Sequence, residues 1–244
     1  MLYAGWFPFT KLHVEPVDLH GRTALVSGAN VGIGYECALK LAQYGASVWI
    51  LCRDAAKAEA ARARLAETSG NADIVVAVVD FGSIASVEAF ATAWDAQRPI
   101  DIIVNNAGLV SGQYVKTEDG HEITYETNFL THVVLTLRLL PYLADHARVV
   151  NVSSHGHYSA DPKFLDPHDL DSHALLTGKL KFREGEDLPP SSSLDLYTKS
   201  KALQVIFGRQ LQQRLAASSI YAKKNIIINS CHPGIAGRRY MNHH

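Results

Sequence analysis

Thr23-Ala24-Leu25-Val26-Ser27-Gly28-Ala29-Asn30-Val31-Gly32-Ile33-Gly34 is the stretch that decides the fold. Its first five residues read as a short apolar strand, glycines interrupt it, and a helix-period segment, Tyr35–Tyr44, follows with Gly45 as its terminator. Glycines at 28, 32 and 34 let the backbone turn tightly and come close to a bound group. The helix they open offers unpaired amides at its N-terminus, where a pyrophosphate is favoured. The spacing is G-x-x-x-G-x-G rather than G-x-G-x-x-G, and its weight comes from its place directly after the first strand.

Outward from this turn, further strands are predicted at Ser47–Cys52, Ile74–Val79, Ile100–Val104, Arg148–Ser153 and Asn225–Ser230. Ala-, Leu- and Gln-rich stretches between them are long enough for crossover helices, and strand then helix, repeated, means a parallel sheet. The continuous runs Val48-Trp49-Ile50-Leu51 and Ile74–Val79 predict strands buried on both faces. The architecture expected is a Rossmann-type doubly wound sheet of order 3-2-1-4-5-6 in a single α/β domain, residues 21–244, behind an N-terminal arm, residues 1–20. One region breaks the regularity. His155–Leu196 carries Pro162, Pro167, Pro189, Pro190, Gly178, Gly185 and Ser191-Ser192-Ser193, and reads as a structureless insertion of the kind that is usually functional.

Composition narrows the function classes. With 244 residues, 47% hydrophobic and 19% charged, the chain is neither disordered nor fibrous. Its net charge of −1 supplies no basic field for nucleic acid. Cys37, Cys52 and Cys231 are too scattered for a disulfide framework, which points to a reducing, cytoplasmic setting. No apolar run reaches the roughly 20 residues of a transmembrane helix. The aromatic start, Met1–Phe9, reads as an arm packed on the domain, with weak membrane-surface association as the sharper alternative.

The chemistry-bearing residues follow the strands. Arg53 succeeds the second strand, where dinucleotide folds meet the adenine ribose. A guanidinium there clasps a 2′-phosphate, so NADP(H) is favoured over NAD(H), with Asp54 one position later as the competing carboxylate. A solvated Arg-Asp turn is the plainer reading of the same pair. Asn105-Asn106-Ala107-Gly108 follows the fourth strand, Asn128 lies in a helical segment, and Ser153-Ser154 closes the fifth strand. Tyr197 and Lys201, four apart, share a helix face. Each motif is common alone, but the order in which they occur is not. His155 and His157 lack a third ligand at metal-like spacing, so no metal is expected.

On these motifs the chain resembles the short-chain dehydrogenase/reductase family over residues 21–234. Leu51-Cys52-Arg53-Asp54, Arg148–His157 and Asn229-Ser230-Cys231-His232-Pro233-Gly234 look most like the branch holding retinol dehydrogenases and the WW-domain-containing oxidoreductase. The resemblance implies Tyr197 as catalytic acid/base, Lys201 as the ammonium that favours its phenolate and binds ribose, Ser154 as the hydroxyl orienting the carbonyl, and Asn128 as fourth member. The second serine, Ser154, is preferred to Ser153 on the family's usage. The resemblance also assigns cofactor contacts to Gly28, Asn30, Gly32, Ile33, Gly34, Arg53, Asp80, Asn105, Asn106, Ala107, Gly108, Tyr197, Lys201, Pro233 and Gly234. A free phenol, with a pKa of about 10, is a poor base at neutral pH, and a neighbouring ammonium corrects that.

Two departures from the family stand out. The insertion before Tyr197 is long, and is expected to form one wall of the substrate pocket. After Pro233-Gly234 only Ile235–His244 remain, without the family's Thr-containing loop, covering helices and seventh strand. A missing seventh strand would leave the sixth as an open edge, with homo-oligomerisation as its corollary. The reading reached is an NADP(H)-dependent oxidoreductase acting on an alcohol/carbonyl pair of a small lipophilic or secondary-metabolite substrate. Its rival is a cofactor-binding, catalytically weak member kept for interaction or regulation; consumption of NADPH, against binding alone, separates the two.

Overall fold

The computed structural model describes residues 15–165 and 182–234. Strands β1 (Thr23–Ser27), β2 (Ser47–Cys52), β3 (Ile74–Val78), β4 (Ile100–Asn105), β5 (Leu143–Val152) and β6 (Ile227–Cys231) form one parallel sheet of order β3-β2-β1-β4-β5-β6. The crossovers are α1 (Gly32–Gln43), α2 (Ala55–Ser69) and α3 (Ile84–Thr92). Next comes α4, a continuous helix made of Ile123–Tyr125, a π-turn at Glu126–Leu130 and Thr131–Leu139; the long α5 (Pro190–Ala217) precedes β6.

Strand pleating distributes alternate residues to two cores. Ala24, Val26, Val48 and Ile50 meet the small side chains Ala38 and Ala42 of α1 and Ala58, Ala61 and Leu65 of α2. Leu25, Leu51, Ile103 and Val149 face the other way, onto Val87 of α3, Leu135 and Leu139 of α4, and Leu211 and Leu215 of α5. The doubly wound reading therefore holds. β3 departs from it, because this strand ends the sheet and packs chiefly on α2, leaving Val78 58% exposed. Its apolar run marks a strand correctly but not one covered on both faces.

Other boundaries also move, among them the start of β6, at Ile227 rather than Asn225, because Asn225 takes a left-handed φ of 52° before the strand. β5 begins at Leu143 rather than Arg148: Ile100 pairs with Leu143 and Ile102 already with Arg148, so the intervening residues bulge, with His146 at φ 63°. The polar Asp145-His146 hides this start in the sequence. The stretch read as a structureless insertion has structure at both ends. Short 3₁₀ turns occupy His155–Ser159 and Pro162–Leu165, and Phe164 is buried. Residues 182–188 are stitched to 112–116: Tyr114 N donates to Glu186 O (2.8 Å), Gly185 N to Tyr114 O (2.9 Å) and Leu188 N to Gly112 O (2.7 Å). From Pro190 the chain is helical, Pro being tolerated in the first turn, so Ser191–Ser193 belong to α5.

Leu19 N donates to Tyr44 O (2.8 Å), which ties the end of the arm to the terminus of α1. The membrane-contact reading of Met1–Phe9 and the expectations drawn from Ile235–His244 lie outside the described residues. Among the described residues no helix is long and apolar enough to cross a membrane.

Candidate active site

The strand ends gather the motifs at the C-terminal edge of the sheet, where the order reverses between β1 and β4. Gly28 (φ 65°) and Gly32 (φ 62°) take left-handed conformations. A Cβ on Gly34 would sit 2.4 Å from both Asn106 Nδ2 and Gly28 O, and one on Gly28 only 2.9 Å from Ala107 Cα. Asn106 Nδ2 donates to Ser27 O (2.8 Å), so the turn and the β4 loop form one unit. Val31 at the α1 N-cap offers no side-chain bond, leaving the first-turn amides of Gly32, Ile33 and Gly34 for an anion. This cradle, closed to any Cβ and capped by free amides, fits the pyrophosphate of a dinucleotide. Asn30 is half-buried, its carbonyl held by Arg64 Nη2 at 3.2 Å.

Arg53 and Asp80 stand further along, after β2 and β3, and both are exposed. Asp54 Oδ1 accepts from Lys57 N (3.0 Å) and caps α2. That carboxylate is therefore engaged by its own helix, whereas Arg53 enters no ion pair among the described residues. Asp80 Oδ1 accepts from Gly82 N (2.8 Å).

A second group lies where β4, β5, α4 and α5 meet. A Cβ on Gly108 would lie 3.1 Å from Asn128 Oδ1 and 3.4 Å from Lys201 Nζ; one on Gly156 would lie 3.5 Å from Ser154 Oγ and 3.8 Å from Tyr197 Cε1. Gly108 thus borders Asn128 and Lys201, Gly156 borders Ser154 and Tyr197, and the contact between Lys201 and the Tyr197 ring joins the two pairs. Lys201 is buried; Nζ donates to Val152 O (2.9 Å) and lies 5.6 Å from the Tyr197 ring centroid. Burial pushes its pKa down to about 8. The serines differ in kind. Ser153 is buried with its hydroxyl donating to Lys201 O (2.8 Å), while among the described residues the half-buried Ser154 accepts only from Gly156 N (3.1 Å).

Other residues are placed differently from what their sequence position suggests. Asn105 is fully buried, its amide donating to Thr136 Oγ1 (3.0 Å) and Asn151 Oδ1 (2.9 Å) inside the sheet rather than into the crevice. Asn128 sits in the π-turn. Its Oδ1 accepts from Leu109 N (2.7 Å), and its Nδ2 donates to Leu109 O (2.9 Å) and Ser200 Oγ (3.1 Å). Pro233 and Gly234 follow β6 exposed, with Gly234 at φ 84°. His157 Nδ1 bonds Ser154 O at 2.6 Å, and among the described residues no group of three His, Cys, Asp or Glu is arranged to hold a metal. Sequence reading missed Ser27, His132 and Gln204. His132, an ionisable residue one turn past Asn128 in the sequence, is the signal that could have found them.

The family model described as short chain dehydrogenase matches residues 22–162. The chain is 33% identical over 222 residues to retinol dehydrogenase 12 of Mus musculus, covering 90% of this chain and 63% of that protein. It is 34% identical over 220 residues to the WW domain-containing oxidoreductase of Drosophila melanogaster, covering 89% of this chain and 49% of that one. It therefore spans less than two thirds of the length of these curated relatives. An uncharacterised protein from Mycobacterium paratuberculosis has the same fold at a TM-score of 0.72 with 32% identity, over 90% of this chain and 70% of that one. The RhlG/NADP complex of Pseudomonas aeruginosa matches at 0.62 with 27% identity, over 89% and 73%. The family match takes in the glycine turn, Asn105–Gly108, Asn128 and Ser154 and runs over more than half of the chain: it belongs to the short-chain dehydrogenase family of oxidoreductases, in the branch of the retinol dehydrogenases and the WW domain-containing oxidoreductase.

Proposed function

We propose that the chain is an NADP(H)-dependent oxidoreductase acting on an alcohol/carbonyl pair of a small lipophilic substrate. The observation that carries this reading is the placement of Ser154 and Tyr197 beside Gly156, with Lys201 Nζ over the Tyr197 ring and beside Gly108. When bound, the dinucleotide supplies or accepts the hydride at its nicotinamide. The remaining work falls to the chain. Ser154 Oγ, with no other acceptor among the described residues, donates to the substrate oxygen and holds it near the phenol. Tyr197 gives a proton to that oxygen, or takes one, as the carbonyl and alcohol interconvert. Lys201, alongside the Tyr197 ring, sets a positive charge on the side of the phenol that turns negative when the proton leaves, and has donors to spare beyond Val152 O for the ribose. Gly28, Asn30, Gly32, Ile33 and Gly34 cradle the pyrophosphate, Asn106, Ala107 and Gly108 form the floor, and Asp80, Pro233 and Gly234 flank it.

A lipophilic substrate is supported by the apolar cluster of Tyr114, Phe164, Leu188 and Leu196, which packs both ends of the segment before Tyr197 against α4 and α5. The relatives' name, retinol dehydrogenase, refers to an apolar alcohol. NADP(H) is supported by the exposed Arg53, by the capping duty of Asp54, and by the NADP of the RhlG complex, whose chain shares this fold. Arg53→Ala is expected to weaken NADPH binding by about 1.5–3 kcal/mol, a hydrogen bond to a charged group, and NADH binding far less. Equal losses in fluorescence titrations of the two coenzymes would reassign Arg53 to structure. The activity is tested by following NADPH absorbance over a panel of apolar ketones, aldehydes and quinones. Consumption with some of them is expected; nicotinamide binding with no consumption across the panel, in either direction, would overturn the enzymatic reading.

A further inference from the structure

His132 lies in the heart of the domain, 2% exposed, and its ring spans two structures that the reaction needs together. On one side Nε2 is 2.8 Å from Ser27 Oγ. On the other, Nδ1 is 3.1 Å from Asn128 O. A carbonyl only accepts, so Nδ1 carries the proton. Ser27 Oγ accepts from Asn106 N and Ala107 N, both at 2.8 Å, which uses its two lone pairs. Its single proton then goes to Nε2 at 2.8 Å rather than to Val104 O at 3.3 Å. Both ring bonds are satisfied by one tautomer of a neutral ring and by no other. Burial, with Lys201's charge adding to it, holds the ring neutral by pushing its pKa down to about 3.

The far end of the chain of bonds is equally specific. The π-turn, in which Thr131 N bonds to Glu126 O, carries Asn128, and the Asn128 carbonyl takes two side-chain donors, His132 Nδ1 and Gln204 Nε2 (2.7 Å) from α5. Asn128's own amide holds Leu109 and Ser200, and Ser200 Oγ donates to Tyr197 O (2.7 Å). The bonds therefore run without a break from the glycine turn and the Asn106-Ala107 loop, through Ser27 and His132, to Asn128 and the turn of α5 that carries Tyr197.

We propose that His132 is a positioning residue whose two ring nitrogens brace different halves of the site, Nε2 the cofactor turn and Nδ1 the helix turn that carries Asn128. This rests on the oxidoreductase reading above, and goes beyond it in assigning a role to a side chain that touches neither substrate nor cofactor. Its consequence is separability. A Gln amide reaches the Nε2 position and an Asn amide the Nδ1 position, so His132→Gln keeps the Ser27 side and His132→Asn keeps the Asn128 side.

The test measures NADPH dissociation constants by nicotinamide fluorescence and kcat by absorbance for both variants. His132→Gln should lower kcat about tenfold, one hydrogen bond's worth, and raise the dissociation constant less. His132→Asn should do the reverse. Equal changes in both quantities for both variants would overturn the proposal, since a merely structural histidine has no such split. The intact protein gives an independent reading that needs no turnover: a long-range ¹H–¹⁵N spectrum should show His132 protonated at Nδ1, bare at Nε2 and unchanged between about pH 5 and 8, where ordinary histidines titrate. A proton on Nε2 would overturn the proposal even if neither variant folds. Failure of the wild type to consume NADPH would sink the oxidoreductase reading and leave this spectrum as the judge of the brace.

Discussion

Tyr197→Phe is expected to abolish turnover, by about 10²–10⁴-fold, the usual worth of a positioned general acid/base, while NADPH still binds. The substitution removes one oxygen and leaves the ring, which packs by Cε1 near Gly156 and lies 5.6 Å from Lys201 Nζ, so neither α5 nor the ammonium has reason to move. A change confined to the proton-transferring atom should appear in kcat and be nearly silent in a fluorescence titration of NADPH. Steady-state rates with whichever carbonyl the panel selects make the comparison. Activity within tenfold of wild type would show that another group moves the proton. Loss of binding and rate together would mean that the phenol holds the cofactor rather than the reaction.

The fold was legible because its signals are local. β1 and β2 have the same ends in sequence and structure, since each is a run of apolar or β-branched residues bounded by turn chemistry. The elements that moved are those whose ends depend on distant partners. The start of β5 is a bulge fixed by pairing with Ile100, and the start of α5 lies among prolines and serines that read as loop until Leu196 finds its place against Phe164 and Tyr125. The site divides in the same way. Glycines declare themselves, because a backbone that admits no Cβ leaves a residue type in the sequence; Gly34, wedged against Asn106 and Gly28, shows the steric reason. Polar side chains do not. Asn105 and Asn106 are adjacent and chemically identical, yet pleating sends one into the sheet and sets the other across the turn. Ser27 and His132 are 105 positions apart, and nothing local couples them.

Lys201→Met is expected to abolish turnover and, against intuition, to raise the stability of the cofactor-free protein at neutral pH. Lys201 is 4% exposed, and among the described residues its ammonium donates to a single acceptor, Val152 O. Burial, with no counter-ion among the described residues, disfavours the charged form and pushes its pKa from 10.5 down to about 8. At about 1.4 kcal/mol per unit the charge costs the fold about 3 kcal/mol. Met fills much the same volume without charge, and forfeits one bond to a carbonyl, at about 1–2 kcal/mol. The balance favours Met. The sign with pH follows from proton counts: between about pH 8 and 10.5 the unfolded chain holds a proton at Lys201 that the folded protein has released, so wild-type stability rises across that window. Below it the penalty is complete; above it, none remains. The variant's advantage should therefore be largest at pH 7 and shrink towards pH 10, with urea denaturation at the two pH values as the measurement. Saturating NADPH should reverse the order, because only the wild type has an ammonium for the ribose and so gains more from the cofactor. A variant less stable than wild type at pH 7, or an advantage indifferent to pH, would show that the buried ammonium is already compensated within the fold. On that expectation the charge is carried at a cost when the protein is empty and relieved when the cofactor binds, apo stability being given up for the reaction.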